Sequence, residues 1–222
     1  MAVTIDWERI DTVLLDMDGT LLDLHFDNHF WLEHVPKRYA EVHGKEPDAA
    51  REELLLRYRA VEGTIDWYCV DYWTRELGMD IALLKEEVDH LIAVHPHVIE
   101  FLDVLKRAGK RRVLVTNAHG KAIALKMRST SIGRHLDNVI CAHDCGMPKE
   151  DLRFWDRLKE REPFANETTL LVDDSLAVLR SAATYGVGNL LAILKPDSRL
   201  GEKQISEFPA VSHFRELISQ LA

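Results

Sequence analysis

The sequence predicts an α/β protein: a doubly wound parallel sheet interrupted once by an all-helical insert. Three observations carry this expectation. Short apolar runs alternate with helical periodicities at roughly 25–30-residue intervals through the second half of the chain. A long stretch from about residue 28 to 93 is helical in period throughout. Several apolar runs also end on carboxylates or small polar groups, as strands do when they deliver a site at their carboxyl ends.

The first strand is expected over residues 12–17, and its end is the most informative segment of the chain: Val13-Leu14-Leu15-Asp16-Met17-Asp18-Gly19-Thr20. Residues i and i+2 project to one side, so the carboxylates of Asp16 and Asp18 can converge. Two anions that close repel unless a cation or a shared proton compensates them. Read alone, the segment also fits a plain strand closed by an Asp-Gly turn.

The insert follows. Breaks at His43-Gly44, Glu62-Gly63 and Leu77-Gly78 divide it into about four helices. Its apolar stripes are Trp31, Val35 and Val42; then Ile65, Cys69, Tyr72, Trp73 and Leu77; then Ile81, Leu84, Val88, Leu91 and Ile92. Pro96 marks the exit.

Alternation then begins. Val98 to Ala108 is helical and stops at Gly109, a C-terminal cap. Strands are expected at residues 112–117, 138–141, 168–172 and 189–194, with helices at 120–130, 150–161 and 175–185 between them. The helix at 150–161 carries Leu152, Trp155 and Leu158.

Composition narrows the functional classes. The 222 residues are 46% apolar and 29% charged, which is ordinary for a globular protein. A net charge of −9 without a block of Lys or Arg argues against nucleic acid or an anionic membrane as the main partner. A small anionic substrate is compatible, because local charge and a metal overrule net charge. Cys69, Cys141 and Cys145 form no paired framework, and free thiols point to a reducing compartment. No basic, apolar leader and no run near the ~20 apolar residues of a membrane span is present. The expected location is the cytoplasm, and the expected state a monomer or homodimer.

Sites in open parallel sheets form at the carboxyl ends of the strands. At those ends stand Asp16 and Asp18, then Thr116 and Asn117, then a loop carrying Lys149, then Asp173 and Asp174. This set of carboxylates calls for a hard divalent cation, and Mg²⁺ shared with a substrate phosphate fits it. A calcium loop does not: with Gly19 at loop position 6, Leu14 falls at position 1 and His25 at position 12.

The order Asp-x-Asp-Gly-Thr, Thr-Asn, Pro-Lys, Asp-Asp resembles the four signature motifs of the haloacid dehalogenase (HAD)-like superfamily of phosphatases. The helical insert resembles the C1 cap of that superfamily. Asp16 to Trp31, Trp67-Tyr68-Cys69-Val70-Asp71-Tyr72-Trp73, Thr116-Asn117-Ala118-His119 and Pro148-Lys149-Glu150-Asp151 are similar to its bacterial GMP/IMP purine 5′-nucleotidase branch.

The resemblance implies a Rossmann-like core of residues 1–23 and 95–222 and a cap of residues 24–94. It implies Asp16 as nucleophile, forming an aspartyl-phosphate, and Asp18 as general acid and base. Asp16, the Asp18 carbonyl and Asp174 would bind Mg²⁺, with Asp173 binding directly or through water. Thr116 and Asn117 would hydrogen-bond the phosphoryl oxygens, and Lys149 would offset the charge of Asp16 and phosphate. Superfamily dehalogenases have no need of the second aspartate, so Asp18 points to phosphoryl chemistry. The expected reaction is Mg²⁺-dependent hydrolysis of a small phosphate monoester, a purine nucleotide by resemblance. A sugar-phosphate or phosphoglycolate phosphatase, a phosphomutase, and a non-catalytic phospholigand- or partner-binding domain are the alternatives.

Weaker signals have plainer readings. Most of Trp67, Tyr68, Tyr72 and Trp73 must be core at helical spacing, with Trp67 and Tyr68 the better candidates to stack on a base. Lys37, Arg38, Arg57 and Arg59 read as a solvated helix face. His119 reads as a loop histidine near the site, and Asp23 as a helix cap or hinge residue.

Overall fold

The computed structural model describes residues 4–221. Six parallel strands form one sheet in the order β3-β2-β1-β4-β5-β6: β1 (Thr12–Leu15), β2 (Arg111–Thr116), β3 (Asn138–Cys141), β4 (Thr169–Asp173), β5 (Asn189–Ile193) and β6 (Ala210–Val211). Central β1 pairs with β2 in the register Leu14↔Val113 and with β4 in the register Leu14↔Leu171. Both faces of the sheet are covered, so its central strands are apolar on both sides. Val13 and Leu15 of β1 join one core with Val98, Phe101 and Leu105 of α6 (Val98–Arg107), whereas Leu14 joins the opposite core with Trp155 and Leu158. That division is the two-residue strand period expressed as packing.

Strand order also locates the site. The chain leaves β1 for β2 and β3 on one side, and later builds β4, β5 and β6 on the other. The end of β1 is therefore a topological switch point, where crossover connections diverge and leave a crevice.

Between β1 and β2 lie α1 (His25–His29), α2 (Val35–His43), α3 (Pro47–Val61), α4 (Val70–Leu77) and α5 (Ile81–Glu87). They bury a third cluster around Phe26, Phe30, Leu54 and Trp73, to which Ala122 and Leu125 of α7 (Gly120–Ser129) contribute. The insert has more segments than the about four helices predicted. A π turn over Phe30–His34 joins α1 to α2, and a 3-10 turn over Ile65–Tyr68 precedes α4. Val42, expected on a buried stripe, is 57% exposed, because the buried face of α2 is set by Val35, Pro36, Tyr39 and Ala40 and Val42 falls to the side of it.

The remaining helices are α8 (Ala142–Cys145), α9 (Arg153–Arg161), α10 (Leu176–Tyr185) and α11 (Arg215–Leu221). Helix α9 starts after Leu152, which is 45% exposed and not part of the buried stripe. Neither β6 nor α11 was expected; a two-residue edge strand offers no period to detect. Gly109 closes the turn after α6 at φ +71, in the left-handed conformation expected of a helix stop. All three cysteines are free, and no helix among the described residues is long and apolar enough to cross a membrane.

Candidate active site

The site is assembled around one buried ammonium. Lys149, 1% exposed, donates from Nζ to Asp16 Oδ1 at 2.6 Å, Asp173 Oδ2 at 2.7 Å and the Val115 carbonyl at 3.1 Å. It thereby ties together the carboxyl ends of β1, β4 and β2. Asn117 anchors the loop that carries it, accepting from the Lys149 N–H at 2.9 Å and donating to Glu150 Oε2 at 3.0 Å. The sequence reading aimed Asn117 at phosphate; its Oδ1 and one amide hydrogen are instead spent on this loop. Thr116 is buried, and its Oγ1 accepts from the Ala118 N–H at 3.1 Å while retaining its own hydroxyl hydrogen to donate.

Asp16, Asp173 and Asp174 each present a carboxylate oxygen within 4.8 Å of the other two. Burial pushes Asp16 up to about 6 against the pull of Lys149. Asp173 and Asp174 are raised as well, by burial first, and each by a neighbouring carboxylate. Burial opposes the charge on Lys149, yet Asp16 and Asp173 hold its pKa above the usual lysine value. A crowded set of hard oxygen donors whose ionisation is disfavoured is what a divalent cation relieves, so the residues fit Mg²⁺. The Asp18 carboxylate lies outside this group of three.

Gly19 is required by this geometry. It adopts φ +88, and a Cβ there would lie 2.8 Å from Asp174 Cγ. Gly19→Ala is expected to lower stability by about 1–2 kcal/mol from left-handed strain and to displace Asp174. Calorimetric titration with magnesium should show weaker binding than the parent; unchanged affinity would mean that Asp174 is not a ligand.

Asp18 faces a different partner set. Its Oδ1 accepts from Lys126 Nζ at 2.7 Å, Lys126 also donates to Asp27 Oδ2 at 2.6 Å, and Lys85 donates to Asp27 Oδ1 at 2.9 Å. Burial raises Asp18 to about 6 although Lys126 opposes it, whereas the two lysines overcome burial and lower Asp27 to about 2. Sequence reading missed all three partners. The signal was present: Lys85 interrupts the stripe Ile81, Leu84, Val88, and Lys126 follows Ala122 and Leu125 on a buried face.

A cavity of about 330 Å³ opens over these groups, within the size range of small-ligand sites. Asp16, Asp18, Thr116, Lys149, Asp173 and Asp174 line its floor, and Trp31, Trp67 and Tyr68 line its walls. Tyr68 donates to Glu150 Oε1 at 2.7 Å, linking the insert to the Lys149 loop. Trp73 lines the cavity but is otherwise buried core, and Tyr72 does not line it. His119 lines it too, and its Nδ1 caps α7 by accepting from the Lys121 N–H at 3.3 Å. Lys37, Arg38, Arg57 and Arg59 are not among the lining residues; Arg38 pairs with Glu41 and Arg57 with Glu53. Asp23 accepts from the backbone N–H groups of His25 and Ser198 at 3.0 Å, pinning the start of the insert. One oriented carboxylate, a second two residues on, and an adjoining trio of carboxylates are groups able to supply a nucleophile, a proton carrier and oxygen donors for a cation.

The sequence pattern of the haloacid dehalogenase-like hydrolases matches residues 10–186. The chain is 42% identical over 221 residues, 100% of both chains, to the GMP/IMP nucleotidase YrfG of Escherichia coli. It is 27% identical over 144 residues, 65% of each chain, to the pyrophosphatase PpaX of Bacillus velezensis. Among solved structures, a HAD phosphatase from Thermococcus onnurineus superposes with a TM-score of 0.79 at 24% identity, covering 96% of this chain and 98% of that one.

Proposed function

The chain belongs to the haloacid dehalogenase-like hydrolases and is a phosphoric monoester hydrolase, and from that premise we propose that it hydrolyses purine nucleoside 5′-monophosphates, GMP or IMP, through an aspartyl-phosphate on Asp16. The observation that carries this reading is the pairing of Asp16 with Lys149 beneath a cavity that Asp18 also lines. Lys149 keeps Asp16 ionised and aimed, so its free carboxylate oxygen attacks phosphorus. Asp18 gives a proton to the departing ribose oxygen, then takes one from the water that cleaves the acyl phosphate. Thr116, the remaining Asn117 amide hydrogen and Lys149 offset charge on the phosphoryl oxygens. Phosphoryl transfer needs mainly such positioning and charge stabilisation. Asp16, Asp174, the Asp18 carbonyl and Asp173 would hold Mg²⁺, which when bound neutralises phosphate charge and orients the phosphoryl group.

Residues 24–94 serve as the cap in this proposal. They would exclude bulk water and place Trp67, Tyr68 and Trp31 beside the leaving group, where aromatic rings can stack on a purine. The full-length likeness to a nucleotidase supports the same substrate class. The proposed setting is the cytoplasm, where free thiols persist.

The test is magnesium-dependent phosphate release from a panel of purine and pyrimidine 5′-nucleotides, sugar phosphates and phosphoglycolate. GMP or IMP should exceed the sugar phosphates in kcat/KM by at least about tenfold, or ~1.4 kcal/mol in the transition state. The reverse preference would assign the site to sugar phosphates.

A further inference from the structure

The ionic chain Asp18–Lys126–Asp27–Lys85 is expensive to bury. Lys126 is 1% exposed and Lys85 3%. Buried ion pairs of this kind seldom add stability over well-packed apolar residues. Lys85 already lies among the rings of Phe26, Phe30 and Trp31, with Nζ 4.2 Å from the Phe30 centroid, a setting where a methionine would pack without charge. The chain also crosses the molecule: Asp18 follows β1, Lys126 is on α7, Asp27 on α1 and Lys85 on α5. It is the charged connection from the insert to the proposed proton donor.

Its geometry divides the two oxygens of Asp18. Lys126 holds Oδ1 at 2.7 Å, and no hydrogen bond among the described residues falls on Oδ2. An ammonium donates only, so Oδ1 is committed as an acceptor and Oδ2 is left as the atom for proton exchange. We propose that Lys126, Asp27 and Lys85 are positioning residues for leaving-group protonation: Lys126 orients Asp18, and the insert holds Lys126 through Asp27 and Lys85. The inference rests on the phosphatase reading above and adds the device that makes Asp18 competent only when insert and core are docked. As Asp16 bonds to phosphorus, the ester P–O bond breaks, its electron pair stays on the alcohol oxygen, and the Asp18 Oδ2 proton moves to that oxygen.

Leaving-group dependence tests this directly. An alkoxide needs the proton; 4-nitrophenolate is stable enough to leave without it. The parent protein is first assayed with magnesium on GMP, IMP, the sugar phosphates and 4-nitrophenyl phosphate, and its fastest alcohol ester is taken forward. A parent inert on every ester ends the phosphatase reading, and this inference with it. With an active parent, Lys126→Met and Asp27→Asn should each lower kcat/KM for the alcohol ester at least ~30-fold, within the range of general-acid effects. The same variants should change kcat/KM for 4-nitrophenyl phosphate less than about threefold, and Lys126→Arg should regain most of the alcohol-ester activity. Parallel losses on both substrates, or no loss on the alcohol ester, would overturn the proposal while leaving the phosphatase reading intact. If Lys126→Met does not fold, Asp27→Asn decides, because Asp27 bonds to Lys126 and Lys85 and makes no hydrogen bond to Asp18.

Discussion

Asp16→Asn should abolish turnover, lowering kcat at least about 10⁴-fold, with no phosphorylated protein recovered after acid quench of a radiolabelled substrate. The amide has no charge with which to attack phosphorus, and no other carboxylate takes its place: Asp173 is held by Lys149 and the Ser175 N–H, and Asp18 by Lys126. The loss should be chemical and not structural. Lys149 keeps Asp173 and the Val115 carbonyl as partners in the variant. The sign of the pH effect follows from burial. The folded Asp16 pKa of about 6 lies above its usual value of 3.8, so its contribution to stability is complete below that usual value and is lost as pH rises through about 6. The variant lacks this loss. Without metal it should therefore melt no lower than the parent above about pH 6, and its relative stability should rise with pH across that window. A variant that retains phosphate release within tenfold of the parent would remove the aspartyl-phosphate from the mechanism.

Lys149→Met should have the largest effect on stability. The substitution leaves Asp16 and Asp173 buried and facing each other without their shared ammonium. Breaking a buried charge pair on one side costs about 3–5 kcal/mol, and for a chain of this length that is a fall in Tm of roughly 6–20 °C. The deficit should depend on pH in a defined direction. Both carboxyls are already raised by burial, and removing Lys149 raises them further, so protonation relieves the repulsion. Thermal melts of the metal-free proteins should show the gap between variant and parent narrowing as pH falls from about 7 to 5. A gap that stayed constant would show that packing, and not charge, is what Lys149 provides. Activity should fall at least ~10²-fold alongside, since the same ammonium faces the phosphoryl oxygens in the proposed mechanism.

The two experiments bear on residues that could be found in the sequence, and the reason is local. Asp16, Thr116 and Asp173 each end or directly follow an apolar run that can only be a buried strand, and parallel sheets bring such ends to one edge. Lys149 was harder, because it sits on a loop; only the order of segments pointed to it. The aromatic run was divisible in part. Trp67, Tyr68 and Trp73 all border the cavity and Trp73 is otherwise core, but the 3-10 turn that carries Trp67 and Tyr68 ahead of α4 leaves no trace in periodicity. The π turn at Phe30–His34 is a similar case, an irregularity that apolar periodicity does not register.

By itself the sequence determined the parallel sheet, the place of the helical insert and the acidic strand ends at its centre. Those features follow from hydrophobic period and strand direction, which are properties of short contiguous segments. Only the tertiary structure decided how the charges are shared. Lys149 takes Asp16 with Asp173, and Lys126 takes Asp18 with Asp27, so two carboxylates two residues apart in sequence enter separate hydrogen-bonded networks. That partition depends on which ammonium is buried beside which oxygen, and distance in a low-dielectric interior, unlike spacing along a chain, exists only once the chain has packed.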